Sequence, residues 1–311
     1  MFLFRLIANN LAPLTLLGAI AAYLQPALFM PFKDYFLWLF AATMLSLGVV
    51  LEPAELRQTL RRPKQIGLGV LAQFTIMPLL GFLAAWLGDF TPALALGFII
   101  VGCAPGAMAS NVVVYLAGGA LAFSIALTTV ATLLAPLLTP ALVTLLGRTF
   151  LDIPFWPMMT TIVQTVLLPL LLGMGLRPLL GARMAVAQSL APAVAALAIV
   201  IICSYAVAAN QAYLQQVGAE VFVAVVLVNL LGYLLGWQAA RLFRFDAAHR
   251  LTLAIEVGMQ NAGLGVALAL KHFSAEAALP GALFAVWCIL TAAGAATYYR
   301  RRTRQALVVA P

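Results

Sequence analysis

The sequence predicts an all-α polytopic membrane protein with ten transmembrane helices, and three observations support that prediction. Hydrophobic residues make up 65% of the 311 residues, charged residues make up only 8%, and the mean hydropathy is +1.08. Apolar runs of about 20 residues, the length needed to cross a bilayer, follow one another along the chain. The few arginine and lysine residues lie mostly between these runs, where cations report membrane topology. A soluble protein of this composition would lack the polar residues needed to cover its core.

Proline, glycine and cationic residues mark the ends of ten apolar spans. We interpret the first span as a membrane helix and not as a cleaved signal, because it is long enough to cross the bilayer and no A-x-A-like site follows it. The predicted spans are 7–30, 35–52, 66–88, 92–117, 120–147, 156–176, 187–208, 219–241, 249–271 and 276–299.

The distribution of cations supports this count. If the N-terminus is cytoplasmic, the segments on the cytoplasmic side contain 14 of the 17 arginine and lysine residues, and the opposite side contains only Lys33, Arg148 and Lys271. Positive residues concentrate on the cytoplasmic side of membrane proteins. The sequence therefore predicts two cytoplasmic termini and a location in the cell inner (plasma) membrane. With the cations explained in this way, the net charge of +8 does not indicate nucleic-acid binding.

Two pairs of similar segments in the sequence favour an inverted repeat of five plus five helices. The motif Leu79-Leu80-Gly81 in the third span is matched by Leu234-Leu235-Gly236 in the eighth, with an amide side chain upstream of each, at Gln73 and Asn229. The fourth and ninth spans are both interrupted, by GCAPGAMASN at 102–111 and by EVGMQNAGLG at 256–265. Halves with an odd number of helices have opposite orientations, which is a common construction of secondary transporters.

The interruption of the fourth span predicts a binding site inside the membrane. Pro105 removes a backbone donor and Gly106 adds flexibility, so carbonyl and N–H groups are released from the helical ladder. Lipid cannot satisfy such groups, and they must face protein or a water-filled cavity. The polar pair Ser110-Asn111 follows directly, and the matching interruption in the ninth span strengthens the prediction.

Glu256 is the one carboxylate that the sequence places deep within a span, where a charge is costly unless a proton or a cation neutralises it. No cysteine or histidine ligand set is present in this region, because Cys103, Cys203 and Cys288 have no metal-ligand spacing, so a transition metal is disfavoured. The available donors are hard oxygens that suit Na⁺ or a proton. They are the carboxylate of Glu256, the amides of Gln73, Asn111, Gln260 and Asn261, and the hydroxyls of Ser110, Ser124 and Thr128.

Three strings of the sequence closely resemble the bile acid:sodium symporter family, particularly bacterial homologues of the apical sodium-dependent bile acid transporter. They are LAQFTIMPLLG, GCAPGAMASNVVVYLAGGALAFSIALTT and IEVGMQNAGLGVALA, and the resemblance extends over nearly the whole chain. It implies panel helices within 1–65 and 149–210, core helices within 66–148 and 211–300, and a cytoplasmic tail at 301–311. It also implies that the interrupted fourth and ninth spans cross each other.

The resemblance further implies two sodium sites beside this crossing. The first would use Ser110, Asn111, Ser124, Thr128 and Glu256. The second would use Gln73, Gln260, the backbone carbonyls of Val257 and Met259, and again Glu256. Asn261 would face the substrate cavity.

Two departures from the family pattern, at three positions, bear on the substrate. Met108 stands where relatives have a small hydroxyl residue, and Cys288-Ile289 stands where relatives tend to have a His-Asn pair. We therefore expect Met108, Cys288 and Ile289 to make the substrate lining more apolar, without changing the sodium ligands.

These observations predict a symporter that uses sodium to import an organic monoanion, either a bile acid-like steroid or a small carboxylate, by alternating access. Proton coupling through Glu256 is the alternative within transporters, and a channel or a ligand sensor is the alternative from another class. An enzyme is not expected, because the sequence shows no nucleophile–base pair or metal triad. The expected partners are the anion, two sodium ions and membrane lipid, and nothing in the sequence indicates an obligate protein partner.

Overall fold

The computed structural model of the protein describes residues 11–51, 63–288, 290–291 and 294. Within these ranges the chain is helical and forms no β-strand; an isolated β-bridge joins Gly106 and Gln260. Several parts of the sequence predictions lie outside the described residues, namely residues 7–10 of the first span, the connection 52–62, Ile289, residues 292–293 and 295–299 of the tenth span, and the tail 301–311.

The described residues of the first half of the chain form six α-helices, and the predicted interruption of the fourth span is present as the gap between α4 and α5. The helices are α1 (Leu11–Leu24), α2 (Phe36–Val50), α3 (Pro63–Leu87), α4 (Pro92–Gly102), α5 (Ser110–Ala117) and α6 (Leu121–Gly147). The first span was predicted to reach residue 30, but α1 ends at Leu24, because Pro26 and Pro31 open two 3₁₀ turns instead.

The described part of the second half forms seven α-helices, and the interruption of the ninth span is the gap between α11 and α12. The helices are α7 (Phe155–Ile162), α8 (Leu168–Leu176), α9 (Met184–Ala209), α10 (Gln211–Leu242), α11 (Ala247–Gly258), α12 (Ala262–His272) and α13 (Ala275–Cys288). A π-helical turn at Val163–Leu167 joins α7 to α8. The segment 209–218, which the spans left as a connection, is helical from Gln211 onward.

Five helical segments of the described chain are long and apolar enough to cross a membrane. They are Pro63–Leu87, Leu121–Gly147, Phe155–Gly181, Met184–Ala209 and Ala219–Leu242. The two interrupted spans give shorter pieces, because α4 has 11 residues and α5 has 8. The protein is therefore an all-helical membrane protein with several apolar helices of spanning length.

The helices pack in two groups of neighbours. In one, α2 packs along α8 and α9, and α9 also contacts α1. In the other, α3 packs against α4, α6 and α10, and α10 packs against α11. The guanidinium of Arg177, just beyond α8, donates to the carbonyls of Val49, Val50 and Leu51 at 3.2, 2.7 and 3.1 Å, which satisfies carbonyls at the end of α2.

Small residues let the interrupted helices lie close to their neighbours. A Cβ atom placed on Gly81 would lie 2.5 Å from the carbonyl oxygen of Phe98 on α4. A Cβ atom on Gly236 would lie 3.1 Å from the carbonyl oxygen of Leu253 on α11. The two contacts are offset by the same 155 residues as the Leu-Leu-Gly motifs, so each motif places its glycine against the first half of an interrupted helix.

Candidate functional site

The two helix interruptions are joined to each other by their backbones. The N–H of Ala107 donates to the carbonyl of Met259 at 2.9 Å, and the N–H of Asn261 donates to the carbonyl of Pro105 at 2.8 Å. These two bonds satisfy backbone groups that neither helix can pair internally. Helix ends from both halves of the chain therefore meet at one place inside the protein.

Glu256 lies at this meeting point with its side chain buried, and three hydroxyl groups surround its carboxylate. The hydroxyls of Ser110 and Thr128 lie 2.5 and 2.7 Å from its oxygens, and the hydroxyl of Ser124 also contacts it. Gly106 permits this approach, since a Cβ atom there would lie 3.0 Å from the Oε2 atom of Glu256. The predicted residue types are thus brought together by α5, α6 and α11.

The three hydroxyl groups around Glu256 lie close to more acceptor oxygens than their three protons can serve. Each hydroxyl also lies near a second acceptor: Ser110 near the carbonyl of Ala107 at 2.6 Å, and Thr128 near the carbonyl of Ser124 at 2.9 Å. The hydroxyl of Ser124 lies 2.7 Å from the Oδ1 atom of Asn111. A hydroxyl can donate only one hydrogen bond, so three protons serve six contacts. An added positive charge would satisfy the oxygens that remain.

A second group of predicted ligands lies at the end of α11. The Nε2 atom of Gln73 donates to the Oε1 atom of Gln260 at 3.0 Å, and the Nε2 atom of Gln260 donates to the carbonyl of Val257 at 2.8 Å. The Oε1 atom of Gln73 is buried and has no hydrogen-bond partner among the described residues. A buried acceptor without a partner carries a desolvation cost, which a bound cation would remove.

The donor set favours one class of cation. No three His, Cys, Asp or Glu side chains come together in the described part of the chain. The cluster consists of one carboxylate with neutral hydroxyl, amide and carbonyl oxygens, and such hard ligands suit a hard cation and not a soft transition metal.

A cavity of about 360 Å³ lies beside the two interruptions, between them and helices α2 and α9. Of the predicted substrate-facing residues, Met108, Asn261 and Cys288 line it. The other polar side chains that line it are Thr43, Ser46, Asn111 and Gln260, and the described lining includes no charged side chain. Asn261 also caps α12, because its Oδ1 atom accepts from the N–H of Leu264 at 3.2 Å.

Sequence reasoning missed the part of this cavity that α2 and α9 contribute. Thr43 and Ser46 are isolated hydroxyls in an apolar span, and such residues usually bond to their own helix, as Thr43 does to the carbonyl of Leu39 at 3.1 Å. Their spacing of three residues, which places both on one helix face, was the available signal.

Comparisons with known proteins agree on one family. The sodium bile acid symporter family model matches residues 37–220, which is more than half of the chain. The uncharacterised sodium-dependent transporter YocS of Bacillus subtilis is 39% identical over 92% of this chain and 89% of its own length. The probable chloroplastic sodium/metabolite cotransporter BASS1 of Arabidopsis thaliana is 36% identical over 74% of this chain and 58% of its own length. The human ileal sodium/bile acid cotransporter is 29% identical over 76% of this chain and 69% of its own length.

Proposed function

The chain belongs to the sodium bile acid symporter family, and from this premise we propose that it imports an organic monoanion together with sodium by alternating access. The observation that carries the proposal is the proton-poor oxygen cluster around Glu256. Family membership makes sodium the expected cation, and the cluster supplies a place for it.

The first sodium ion is assigned to the cluster of Ser110, Asn111, Ser124, Thr128 and Glu256. A sodium ion among these oxygens would interact favourably with the carboxylate and side-chain oxygens that the three hydroxyl protons leave without a donor. It would also neutralise Glu256, whose charge is costly at this depth in the membrane. One sodium ion would therefore both coordinate the unsatisfied oxygens and neutralise the buried charge of Glu256.

The second sodium ion is assigned to Gln73, Gln260, Glu256 and the carbonyls of Val257 and Met259. The unpartnered Oε1 atom of Gln73 supports this assignment, since it is an acceptor buried beside two other predicted ligands. Two sodium ions with one monoanion would carry one net positive charge inward. At −100 mV that charge adds about 2.3 kcal/mol to the driving force.

The substrate is assigned to the cavity beside the interruptions. Its largely apolar lining, with no charged side chain among the described lining residues, favours a single carboxylate or sulfonate on an apolar or small body. Asn261, at the N-terminus of α12, lies at the cavity, and its side-chain amide can donate to an anion. Met108 and Cys288 would contact the body of a steroid or of a small carboxylate equally well.

Alternating access requires one group of helices to move against the other, and we assign these roles to the panel (1–65 and 149–210) and the core (66–148 and 211–300). The two groups of packed helices support this division. The cavity extends to Val50, Leu51 and Pro192, which the predicted topology places near the cytoplasm. We accordingly assign this arrangement to the inward-facing conformation of a proposed ten-helix inverted repeat.

Contacts at the opposite ends of the helices support the same conformation. The Nε2 atom of His272 lies 2.9 Å from the hydroxyl of Thr161, and the amide of Asn210 donates to the carbonyl of Ala275 at 2.6 Å. Both contacts join a panel segment to a core segment on the predicted outer side. They would have to break when the cavity opens outward.

Uptake into proteoliposomes tests the proposal. We expect an inward sodium gradient to drive uptake of a monoanion from a panel that includes a bile acid, small monocarboxylates and a dicarboxylate. In Glu256→Gln we expect sodium stimulation to disappear, with apparent sodium affinity falling more than about 100-fold, because even outer-shell changes cost 10–100-fold at metal sites. Glu220→Gln changes an exposed glutamate and is the matched control.

Two outcomes would contradict the proposal. Equal uptake in choline buffer with a proton gradient would favour proton coupling through Glu256, the alternative within transporters. Uptake that is linear in substrate and insensitive to both gradients would favour a channel. A dicarboxylate that outcompetes every monoanion would contradict the substrate class alone.

A further inference from the structure

We propose that Asn229 is a positioning residue of the second sodium site, where it fixes the orientation of the peptide at Gly258. The inference rests on the proposed function, because it assumes that sodium binds at the end of α11. Asn229 lies on α10, outside both predicted ligand sets, and its side chain is fully buried.

Asn229 connects the end of α11 to Thr291, three residues beyond the end of α13, through a partly buried polar network. Its Nδ2 atom donates to the carbonyl of Gly258 at 2.9 Å, and its Oδ1 atom accepts from the hydroxyl of Thr291 at 3.1 Å. The hydroxyl of Tyr233 lies 3.3 Å from the same Thr291 hydroxyl. Both ends of the amide are therefore occupied, which fixes its orientation.

The bond from Asn229 completes the pairing of three consecutive carbonyls at the helix end. The carbonyl of Val257 accepts from Gln260, and the carbonyl of Met259 accepts from the N–H of Ala107, so both bond within the two interruptions. The carbonyl of Gly258, which lies between them, accepts instead from α10. By holding the middle carbonyl on α10, Asn229 keeps its two neighbours directed at the predicted ion position.

Close packing around Gly258 leaves no room for a side chain at this position. A Cβ atom on Gly258 would lie 2.3 Å from the Cδ1 atom of Tyr233, and a Cβ atom on Gly232 would lie 3.2 Å from the Cα atom of Gly258. The peptide is therefore held between α10 and the interruption. Partners that orient metal ligands in this way commonly change metal affinity by 10–100-fold when they are removed.

The chain offers a matched control at the other interruption. The hydroxyl of Thr139 on α6 donates to the carbonyl of Cys103 at 2.8 Å, just beyond the end of α4. This bond also runs from a buried side chain to a carbonyl released at a helix end. No predicted sodium ligand adjoins it, so its loss should cost stability without changing ion binding at the second site.

Sodium titration of the full-length protein, with thermal stabilisation and substrate uptake as readouts, tests the inference. In Asn229→Leu we expect the sodium concentration for half-maximal response to rise about tenfold and the Hill coefficient to fall. We also expect the ratio of lithium to sodium response to change, because displaced carbonyls alter the size of the site, whereas a general loss of stability would not. Thr291→Val leaves the amide of Asn229 without one partner. It should shift the half-maximal concentration, the Hill coefficient and the ion ratio less than Asn229→Leu does, and in the same direction.

The outcomes separate the inference from the proposed function. If the wild-type protein shows no sodium response, the proposed function is wrong. If the wild-type protein responds, but Asn229→Leu behaves like Thr139→Val in half-maximal concentration and ion ratio, the inference is wrong. Should Asn229→Leu fail to fold, an unchanged ion ratio in Thr291→Val would overturn the inference, and a changed ratio would support it.

Discussion

At the scale of single residues, Glu256 has a role in both proposed ion sites. It contacts the hydroxyls of the first site directly, and Val257, Met259 and Gln260 follow it in the chain. Its negative charge would therefore be shared by two cations that otherwise see only neutral oxygens. Binding of one ion should alter the affinity for the other, and the two sites should titrate cooperatively.

A substitution at Gln73 should distinguish the contribution of the second sodium site from that of the first. Gln73→Leu removes one amide ligand of the second site and leaves the contacts of Ser110, Ser124 and Thr128 with Glu256 in place. We expect the sodium concentration for half-maximal uptake to rise at least about tenfold. The Hill coefficient should fall from near two towards one, since it is limited by the number of coupled sites. Sodium-dependent uptake of radiolabelled substrate measures both quantities.

Gln188→Leu is the control for this change, because Gln188 is exposed on α9. It should leave both quantities unchanged. Equal losses in Gln73→Leu and Ser110→Ala, with no change in the Hill coefficient, would contradict the assignment of Gln73 to a separate site.

The sequence indicated most of the candidate site because buried charge and buried amides stand out in apolar spans. Glu256, Gln73 and Gln260 are polar residues at membrane depth, and such residues are rare unless they have partners. The sequence did not indicate that each hydroxyl around Glu256 lies near two acceptors, because that depends on how α5, α6 and α11 pack. The role of Asn229 also required the structure, since its partner is a backbone carbonyl.

At the scale of helices, proline and glycine predicted the interruptions well and the ends less well. Pro105-Gly106 lies in the gap between α4 and α5, where the sequence placed a break. Pro26 shortened α1, because a proline can begin a 3₁₀ turn as readily as it can lie within an apolar span. The beginning of α10 could not be predicted, because polar residues near 211–216 continue the helix.

Gly81 tests the close contact between α3 and α4. A methyl group in Gly81→Ala would lie 2.5 Å from the carbonyl oxygen of Phe98, so α4 would have to shift. We expect a loss of about 1–3 kcal/mol, as for other overpacked interiors. Thermal unfolding in detergent measures the loss.

Gly67 on the same helix provides the control, because a Cβ atom there meets no atom within 4 Å. Gly67→Ala should be neutral or stabilising by up to about 1 kcal/mol, since alanine favours helix over glycine. A destabilisation of equal size in both variants would show that the contact with α4 is not responsible.

Asp246 begins α11 and gives a prediction about pH. Its carboxylate accepts from the N–H of His249 at 3.0 Å and contacts the Nδ1 atom of the same residue at 2.7 Å. These bonds, the backbone bond foremost, hold the pKa of Asp246 below its ordinary value. A lowered pKa in the folded state contributes stability above the unfolded-state pKa of about 3.9. That contribution is lost as the pH falls through the folded-state pKa.

We therefore expect Asp246→Ala to lose about 1 kcal/mol near neutral pH, the usual value of an N-terminal cap. The difference from the wild-type protein should shrink as the pH falls below about 4. Thermal unfolding across a pH series measures it, and Asp246→Ser, which keeps a capping oxygen, should lose less. A difference that grows on acidification would contradict the assigned role.

At the scale of the whole molecule, the matched contacts of Gly81 and Gly236 support the proposed inverted repeat. Each glycine packs against the first half of an interrupted helix, and the two interruptions then bond to each other through Ala107 and Asn261. The sequence suggested the repeat through short motifs only. The matched contacts of Gly81 and Gly236 support the proposed repeat more strongly than the similarity of the two Leu-Leu-Gly motifs does.

The ten-span topology can be tested by labelling single cysteines from outside. Gln216→Cys lies at an exposed position of α10 on the predicted outer side, and Lys64→Cys lies at an exposed position of α3 on the predicted cytoplasmic side. We expect an impermeant maleimide to react with the first in intact cells and with the second only after permeabilisation. The native cysteines Cys103, Cys203 and Cys288 are buried and should give little background. The reverse pattern would contradict the predicted orientation.

The short length of α4 has an electrical consequence. Its 11 residues rise about 16 Å, roughly half of a hydrocarbon core about 30 Å thick. An ion that enters from outside and binds at the interruption has therefore crossed about half of the transmembrane electric field. At −100 mV this amounts to about 1.2 kcal/mol for each ion. A more negative interior should thus strengthen the apparent binding of external sodium, by about sevenfold for each 100 mV, before any conformational change takes place.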